Sequence, residues 1–546
     1  MTAHRTGQDG RRRGIAYVLA LLLLSLLCTL AAGVTVMTDL SLQQSENSRR
    51  ATEAQLAAES GMSFAVATLK TCQSEPTLLE LPDMLDVVHA HLTASLAGHG
   101  VTLYEENPED PTSFRKVSVP TITTVGGQQF SFEVFVAEYD PEDGVTPTKL
   151  QLIVEGYSGD LVRTLGMRFD VELNKELLHY AFVSSVRIIA RGTIHINGPI
   201  SSSWKRQLIP IENDPSESYR NHTVYPLDID IKTGAVIDGS LGTTQSASDF
   251  IGDPDKGDYD FRNGIKRNGS KDNEMVADMS YSEPPVKHLT TQDFDTSPLK
   301  EMTSTDNLPA EDASNVSLGM WGLRGKKWQN HNGEDKPALH NICIPKGTNP
   351  YFKGCTFTGI TYIEVDEDTD NPNSGNQNGV VFEDCTFEGP IITGVPKKMR
   401  WDYNSMEFRG LTQFHTSMIQ SALGGVTLMA PNYNVNIGGS EGGGGSGDSD
   451  VCGLVIGGVV DLYNDISVNG TVISMAEIVD ENGNIIMGQN VSWLTAGNVC
   501  GANIGNLNGS SDNVHITPDP DNVIPLGIKK RYELIANIDS YAEAGS

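Results

Sequence analysis

The chain has 546 residues and a formal net charge of −31 at pH 7, with 55 glycines and 26 prolines. Its length exceeds the size at which one hydrophobic core stops growing, so two or more domains are predicted. The acidity argues against a general nucleic-acid binder, because phosphate binding needs clustered Lys and Arg, and the Gly and Pro content argues against a helical bundle.

The first predicted element is a membrane-spanning helix behind a basic leader. Residues 1–14 form the leader and contain three consecutive arginines at 11–13, and residues 15–38 carry no charge. At about 1.5 Å per residue, this stretch is long enough to cross the roughly 30 Å core of a bilayer. The positive-inside rule then places the N-terminus in the cytoplasm and everything after the stretch across the membrane.

The helical pattern continues beyond the apolar stretch. Small and apolar residues recur at steps of three and four, at Ala51, Ala54, Ala58, Met62, Ala65 and Leu69. No proline follows until Pro76, so one long helix over 15–70 is predicted, half in lipid and half packed on a globular head. The alternative is a cleaved secretory signal, for which the small residues at 31–33 are suitable.

Two segments of this region, RRRGIAYVLALLLL and RRATEAQLAAESGMSFA, together resemble the N-terminus of PilX-type minor type IV pilins. The resemblance implies that prepilin peptidase cuts after Gly14 and leaves Ile15 as the mature N-terminus. It also implies that an assembly helix, with Leu19, Leu23 and Leu27 in its apolar half, packs against other pilin or pseudopilin subunits. The chain departs from major pilins at Leu19, the fifth mature position, where those proteins carry a Glu thought to pair with a neighbouring subunit's terminal amine. A minor, tip or priming subunit would tolerate that loss better than a regularly polymerising one.

Residues 71–178 are predicted to form a small α/β head. Residues 78–97 have the composition of a short helix, and alternating apolar residues follow in QFSFEVFVAEY, LQLIVEG and LVRTLGMRFDVEL. A period of two with turn residues between the runs indicates antiparallel strands with one buried face. A sheet packed on the second half of the long helix is also what the pilin resemblance implies.

From residue 179 the pattern changes to short β-branched runs separated by Gly, Asn and Asp. Each of these runs is too short to form a hydrophobic core by itself, but the runs can stack as the coils of a parallel β-solenoid. GCTFTGITYIE at 354–364 and DCTFEGPIITG at 384–394 predict that Cys355 stacks over Cys385 and Phe357 over Phe387. VVFEDCTFEG resembles the coil sequences of right-handed β-helix proteins, and a β-sandwich is the alternative.

The predicted fold class is therefore α+β. A long N-terminal transmembrane and amphipathic helix packs on a small antiparallel sheet, and a parallel β-solenoid of the right-handed β-helix type follows over 179–535. Polar, aperiodic insertions are expected at about 205–230 and 250–340, and residues 536–546 are expected to be a tail.

The seven cysteines include no CxxC pair, which argues against a zinc finger or a thioredoxin-type site. Six lie downstream of the apolar stretch, and an even number in an exported region permits disulfides, with buried free thiols as the alternative. For Cys355 and Cys385, an inward stack or a disulfide is favoured over a redox or metal pair.

An acidic loop is the candidate metal site. Asp253, Asp255, Asp258 and Asp260 could surround Ca²⁺ with oxygen ligands. The loop fails the EF-hand pattern, because Gly264 stands where a bidentate Glu is required, and a solvated acidic turn explains it equally well. No other cofactor is predicted.

No catalytic residue is predicted. A G-x-S-x-G match at 438–442 lies in a glycine tract without the strand, turn and helix that a nucleophile elbow requires. The leading hypothesis is a pilin-like minor subunit of a type IV pilus or type II secretion-like filament that displays the solenoid for adhesion or structure. The alternative is an envelope-tethered β-helix enzyme, a polysaccharide lyase or glycosidase.

The expected partners are other pilin or pseudopilin subunits, the inner membrane and a surface glycan or protein ligand, with no nucleic acid. The expected location is the inner membrane, crossed once, with the C-terminal region in the periplasm or outside the cell, or in a pilus.

Overall fold

The fold is taken from a computed structural model. It describes residues 9–74, 83–107, 113–141, 147–186, 188–190, 193–203, 229–231, 235–243, 259–260, 265–267, 275–277, 285–318, 323–333, 335–366, 378–397, 404–415, 425–438, 449–463, 466–476, 502–504 and 513–543. The chain divides into two compact units. The helix–sheet unit comprises 1–75, 79–174 and 531–546, and the stacked-strand unit comprises 76–78 and 175–530.

The helix–sheet unit begins with one continuous helix, α1 (Asp9–Leu69), of 61 residues. The predicted long N-terminal helix is thus confirmed, and it starts a few residues before Ile15. A second helix, α2 (Met84–Ser95), begins where the Asp83 side chain accepts a hydrogen bond from the Leu85 backbone N–H. This capping bond satisfies one of the amide groups that the first helical turn leaves without a partner.

Six antiparallel strands complete this unit. They are β1 (Thr102–Glu105), β2 (Arg115–Thr123), β3 (Gln129–Tyr139), β4 (Pro147–Ser158), β5 (Leu161–Leu173) and β33 (Tyr532–Glu543), in that spatial order. The alternating residues of the sequence face the core, among them Phe130, Phe132 and Val134 of β3 and Leu150, Leu152 and Val154 of β4. One face of the sheet is therefore apolar, and α1 and α2 pack against it.

The last strand lies far from its neighbours in the sequence. Residues 536–546 were expected to be a tail, and 535 the end of the solenoid. Instead, β33 pairs along β5, with Leu534 opposite Val171 and Ala536 opposite Phe169. The strand lies at the exposed edge of the sheet, where Ile535 and Ile538 face outward and only Leu534 is buried. Its sequence therefore lacks the alternating apolar pattern that predicts a strand with one buried face.

The stacked-strand unit contains most of the strands. They are β6 (Phe182–Ser184), β7 (Ile188–Ala190), β8 (Thr193–Ile196), β9 (Ile200–Ser202), β10 (Ile229–Ile231), β11 (Ala235–Ile237), β12 (Leu241–Thr243), β13 (Tyr259–Asp260), β14 (Ile265–Arg267), β15 (Met275–Ala277), β16 (Ala313–Ser317), β17 (Arg324–Gln329), β18 (Leu339–Ile344), β19 (Tyr351–Lys353), β20 (Thr356–Ile363), β21 (Val380–Glu383), β22 (Thr386–Glu388), β23 (Ile391–Thr393), β24 (Ser405–Arg409), β25 (Gln413–Phe414), β26 (Val426–Gly438), β27 (Ser449–Cys452), β28 (Leu454–Tyr463), β29 (Ile466–Asn469), β30 (Val472–Ser474), β31 (Ala502–Ile504) and β32 (Asn513–Thr517). A short helix, α3 (Ser297–Glu301), follows a turn of 3₁₀ helix at Thr291–Asp293, and another 3₁₀ turn spans Thr305–Asn307.

Among the described residues these strands form a 19-stranded sheet, a five-stranded sheet of β11, β8, β32, β29 and β27, and a three-stranded sheet of β13–β15. The five-stranded sheet is parallel throughout, and so is the large sheet except where β16 meets β17; β13–β15 pair antiparallel. The successive strands β19, β21, β24 and β26 lie one above the other in register.

Two columns of aromatic rings fill the core of this unit. One column stacks Trp328, Phe352, Phe382 and Phe408, with ring centroids 5.0, 5.5 and 5.2 Å apart in turn. The other stacks Phe357, Phe387 and Phe414, at 4.7 and 5.1 Å. The columns meet edge to face, as between Phe382 and Phe387 at 5.1 Å, a geometry that aromatic quadrupoles favour.

Glycine ends each copy of the Cys-Thr-Phe-x-Gly repeat for a steric reason. Gly359 has φ of +65°, a left-handed conformation that costs little only for glycine. Gly389 occupies the same place in the second copy, where a Cβ atom would stand 1.9 Å from the Gly359 carbonyl oxygen. The repeat therefore marks a place where two backbone segments approach too closely for a side chain.

The spatial order of the strands differs from their order in the chain. The set of strands β6, β7 and β8 pairs on one side with β9, β10 and β11. On its other side it pairs with β30, β31 and β32, from the end of the unit. These early strands therefore gain their second set of partners from strands about 300 residues later in the chain, and such non-local pairing predicts slow folding.

The expected insertion over 250–340 is shorter than the sequence indicated. Strand β17 and the start of β18 belong to the parallel stack, where Trp328 lies opposite Phe352 and Leu339 opposite Phe357. In RGKKWQ, the lysines face solvent or lie half-buried while Trp328 is buried, so the segment looks polar although it contributes a large core residue.

An ion pair joins two neighbouring strands of the stack. Glu383 of β21 accepts a hydrogen bond from the Tyr351 hydroxyl, at 2.5 Å, and pairs with the Lys353 ammonium group of β19. Partial burial raises the pKa of Glu383, but the hydrogen bonds from Lys353 and Tyr351 outweigh it, so that the pKa lies below its ordinary value. The charged form of Glu383 is therefore stabilised by folding.

This shift predicts acid sensitivity of the stacked-strand unit. Because the folded-state pKa is depressed, the contribution of Glu383 is present above about pH 4.3 and is lost as the pH falls through the folded value. We expect the denaturant midpoint to fall less between pH 7 and pH 3.5 in Glu383→Gln than in the unmodified chain. The denaturant midpoint is measured by tryptophan fluorescence. An equal fall of the midpoint in the two proteins would show that this ion pair does not cause the acid sensitivity.

Candidate functional site: the apolar helix and its docking on the sheet

The first half of α1 presents apolar side chains all around. Leu19, Leu23 and Leu27 are 60%, 58% and 55% exposed, and Ile15 is 61% exposed. By length and composition, α1 is long and apolar enough to cross a membrane. No other helix among the described residues meets these two criteria. A helix that is apolar on every face is suited to lipid, where it gains from contact with acyl chains.

The few hydroxyl groups in this stretch bond to the helix itself. Thr29 donates to the Ser25 carbonyl at 2.8 Å, Thr35 to the Ala31 carbonyl at 2.9 Å and Thr38 to the Val34 carbonyl at 2.8 Å. Ser25 likewise donates to the Leu22 carbonyl at 3.0 Å. These bonds satisfy the polar groups without water, as the hydrocarbon core of a bilayer requires.

A band of charged residues follows the apolar stretch. Glu46 pairs with Arg49 at 2.7 Å and with Arg50 at 2.9 Å, and Glu53 lies 3.4 Å from Arg49. Hydrogen bonds from Arg49 and Arg50 lower the pKa of Glu46 to about 2. The carboxylate of Glu53 also accepts a hydrogen bond from Ser158 at 2.8 Å, and this bond marks where the sheet begins to contact the helix.

The second half of α1 docks on the sheet through a stripe of small and apolar residues. Of the six predicted positions, Ala54, Ala58, Met62, Ala65 and Leu69 are buried and Ala51 is half-buried. Short alanine side chains let the helix backbone approach the strands closely. The stripe packs on the apolar face formed by β3, β4 and β5.

Two glycines permit this close approach, and the sequence analysis missed both. A Cβ atom on Gly156 of β4 would stand 2.2 Å from the Ala58 nitrogen and 2.3 Å from the Ala54 carbonyl oxygen. A Cβ atom on Gly61 of α1 would stand 2.6 Å from the Phe130 ring. A glycine that interrupts an alternating strand, as in LQLIVEGYS, is the signal that could have indicated a backbone contact.

The predicted processing residues, Gly14 and Ile15, lie within α1. The predicted stack of the Cys-Thr-Phe repeat lies in the core, where Thr356 pairs with Thr386 and Phe357 with Phe387.

Cys355 and Cys385 lie next to each other in the same core, buried and as free thiols. The thiols donate to the backbone carbonyls of Trp328 and Phe352, each at 3.6 Å. Burial raises the pKa of the Cys385 thiol. The hydrogen bond with Cys385 lowers the pKa of the Cys355 thiol. Both side chains are buried and fill space in the core between the stacked strands.

The candidate calcium loop falls almost wholly outside the described residues. Asp253, Asp255 and Asp258 lie outside them, and Asp260 ends the short strand β13. Within the described part of the chain, no group of three or more His, Cys, Asp or Glu side chains is placed to hold a metal ion.

Comparison with known proteins gives little. No protein-family model matches the chain, and no curated protein matches it. Among solved structures, the competence-associated pilin ComZ from Thermus thermophilus is similar at 12% sequence identity and a TM-score of 0.24, over 91% of this chain and 97% of that chain.

Proposed function

We propose that the chain is a membrane-inserted, pilin-like minor subunit of a type IV pilus or type II secretion-like filament. The observation that carries the proposal is the unbroken helix α1, whose first half is exposed and apolar and whose second half is built into a folded unit. A cleaved signal peptide has no need to continue into a domain core. A subunit that leaves the bilayer to join a filament needs this arrangement. The same apolar surface contacts lipid in the membrane and neighbouring helices in the filament.

The mechanism of such a subunit is assembly. The exposed stretch from Ile15 to Thr38 packs first in lipid and then against the apolar helices of other pilin or pseudopilin subunits. Leu19 carries no charge with which to pair a neighbour's terminal amine, so the proposal is for a minor, tip or priming position. The basic leader places the N-terminus in the cytoplasm and both folded units across the inner membrane.

The stacked-strand unit is proposed to be a parallel β-solenoid that the filament displays for adhesion or structure. In-register parallel pairing from β17 through β28, with continuous aromatic columns, supports this. In a stack of this kind each repeat buries its apolar residues against the neighbouring repeats.

Two arginines in the apolar stretch are expected to prevent membrane insertion. Leu23→Arg with Leu27→Arg places two charges near the bilayer centre, at a cost of about 6 kcal/mol. We expect the variant to move from the membrane fraction to the soluble or aggregated fraction after carbonate extraction. Leu42→Arg with Leu56→Arg is the matched control, since both side chains are exposed beyond the stretch, and it is expected to stay in the membrane.

The proposal is tested by sequencing the N-terminus of the chain purified from membranes of cells that contain prepilin peptidase. We expect Ile15 at the mature N-terminus. A start near Val34 would show simple secretion, and an intact Met1 would show a permanent single-pass anchor. Either result contradicts the pilin-like role.

A further inference from the structure

Two histidines lie side by side on the outer face of the five-stranded parallel sheet. His195 of β8 and His515 of β32 stand opposite each other in the register of the two strands. Both side chains are exposed, and the residues before and after each of them are buried in the core, namely Ile194, Ile196, Val514 and Ile516. Because side chains alternate between the two faces of a strand, both imidazoles project from the same face into solvent.

Hydrogen bonds just beyond the histidines fix the register of the two strands. The Asn197 backbone N–H donates to the Ile516 carbonyl at 2.8 Å, and the Asn197 side-chain amide donates to the Thr517 hydroxyl at 3.3 Å. The backbones of the two histidines therefore stay one strand spacing apart, about 4.8 Å. Since β8 lies near the start of the stacked-strand unit and β32 near its end, the pair bridges strands that are far apart in the chain.

The spacing of the two rings suits a shared metal ion. Their centroids are 5.9 Å apart, and their planes are inclined at 46°. A ring nitrogen binds zinc at about 2.0 to 2.1 Å, which places the ring centroid about 3.2 Å from the ion, so one ion can join centroids up to about 6.4 Å apart. A tetrahedral angle at the ion corresponds to about 5.2 Å, which small rotations of these exposed side chains supply.

The two rings are available to a ligand. In the part of the chain that the structure describes, no hydrogen bond or ion pair engages the ring of His195 or His515. Neutral imidazole is the commonest metal ligand among protein side chains. The same row of outward positions continues from His515 through Ser467 to the exposed Asp450, whose carboxylate adds negative charge to this face. The face is therefore suited to a cation.

We propose that His195 and His515 together bind one divalent transition-metal ion of the zinc type, through one ring nitrogen each. Water completes the coordination, since among the described residues the pair forms no group of three with another His, Cys, Asp or Glu side chain. Imidazole nitrogen favours zinc, nickel and copper, whereas calcium and magnesium prefer oxygen ligands. The ion joins the first strands of the unit to the last, so its binding stabilises the folded unit. This inference does not depend on the proposed membrane role.

The test is calorimetric titration with zinc chloride of the full chain, purified in detergent and freed of metal by a chelator. We expect the pair to bind one ion. His195→Gln and His515→Gln should each weaken this binding at least about tenfold, because loss of a group that only orients a metal ligand already costs about 10- to 100-fold. His415→Gln is the matched control, since it changes an exposed histidine elsewhere in the same unit, and it should leave the affinity unchanged.

Stability provides a second measurement on the same proteins. Zinc should raise the guanidinium midpoint of the stacked-strand unit, followed by tryptophan fluorescence, in the unmodified chain and in His415→Gln but not in the two variants of the pair. Without zinc all four proteins should share one midpoint, because the altered side chains are exposed. Unchanged zinc affinity in His195→Gln and His515→Gln would overturn the proposal. Calcium that binds as tightly as zinc, or a midpoint that zinc does not move, would also overturn it.

Discussion

Gly156→Ala is expected to release α1 from the sheet. A Cβ atom at this position would lie 2.2 Å from the Ala58 backbone nitrogen, and a backbone atom cannot turn aside as a side chain can. The helix must shift away from β4, which separates Ala54, Ala58 and Met62 from the apolar face. Overpacking of a well-packed core costs about 1 to 3 kcal/mol, and occasionally more.

The measurement is hydrogen exchange by mass spectrometry on the full chain in detergent. Peptides covering 54–69 should lose protection in Gly156→Ala, because local opening then requires less free energy. Gly126→Ala is the matched control: this exposed glycine has one neighbouring atom at 3.8 Å, and we expect a change within about 0.5 kcal/mol. Unchanged protection in Gly156→Ala would mean that the helix does not lie on β4 as described.

Tryptophan fluorescence supplies an internal control. All five tryptophans lie between residues 175 and 530, so their emission follows the stacked-strand unit alone. We expect this transition to be unaffected by Gly156→Ala. Release of α1 from the sheet can thus be distinguished from unfolding of the whole chain.

Phe382→Ala is expected to have the largest effect in the stacked-strand unit. Phe382 stacks between Phe352 and Phe408 and meets Phe357 and Phe387 edge to face. Its side chain is fully buried, so truncation leaves a cavity in the middle of one aromatic column and beside the other. The expected loss is about 3 to 5 kcal/mol of unfolding free energy.

Equilibrium unfolding in guanidinium, followed by tryptophan fluorescence, measures this loss. Leu411→Ala is the control, because Leu411 is 40% exposed in the same unit and is expected to cost less than about 1 kcal/mol. A loss of under about 1 kcal/mol for Phe382→Ala would show that the columns are not packed as a continuous core.

The periodic elements were predictable because their signals are local. The stripe from Ala54 to Leu69 follows the helical period without a proline, and Phe130, Phe132 and Val134 follow the strand period. Both patterns report directly which face is buried. The buried backbone contact at Gly156 gave only a weak local sign, since a single glycine within an alternating strand has several explanations.

Other features were hidden because they depend on long-range pairing. Strand β33 has exposed Ile535 and Ile538, so its pattern did not indicate a buried face. The pairing of β30 with β6, in which Val472 lies opposite Phe182, gives no signal in either local sequence. Likewise, His195 and His515 belong to separate segments that come together only through the pairing of β8 with β32.

The continuity of α1 between lipid and sheet is tested most directly by an electron spin resonance distance in lipid bilayers. Spin labels on unnatural amino acids at positions 36 and 52 leave the native cysteines untouched. Sixteen residues of helix separate the two backbones by about 24 Å. The account predicts a narrow distance distribution at this value, and a broad distribution would show a flexible tether between membrane segment and folded unit and would contradict it.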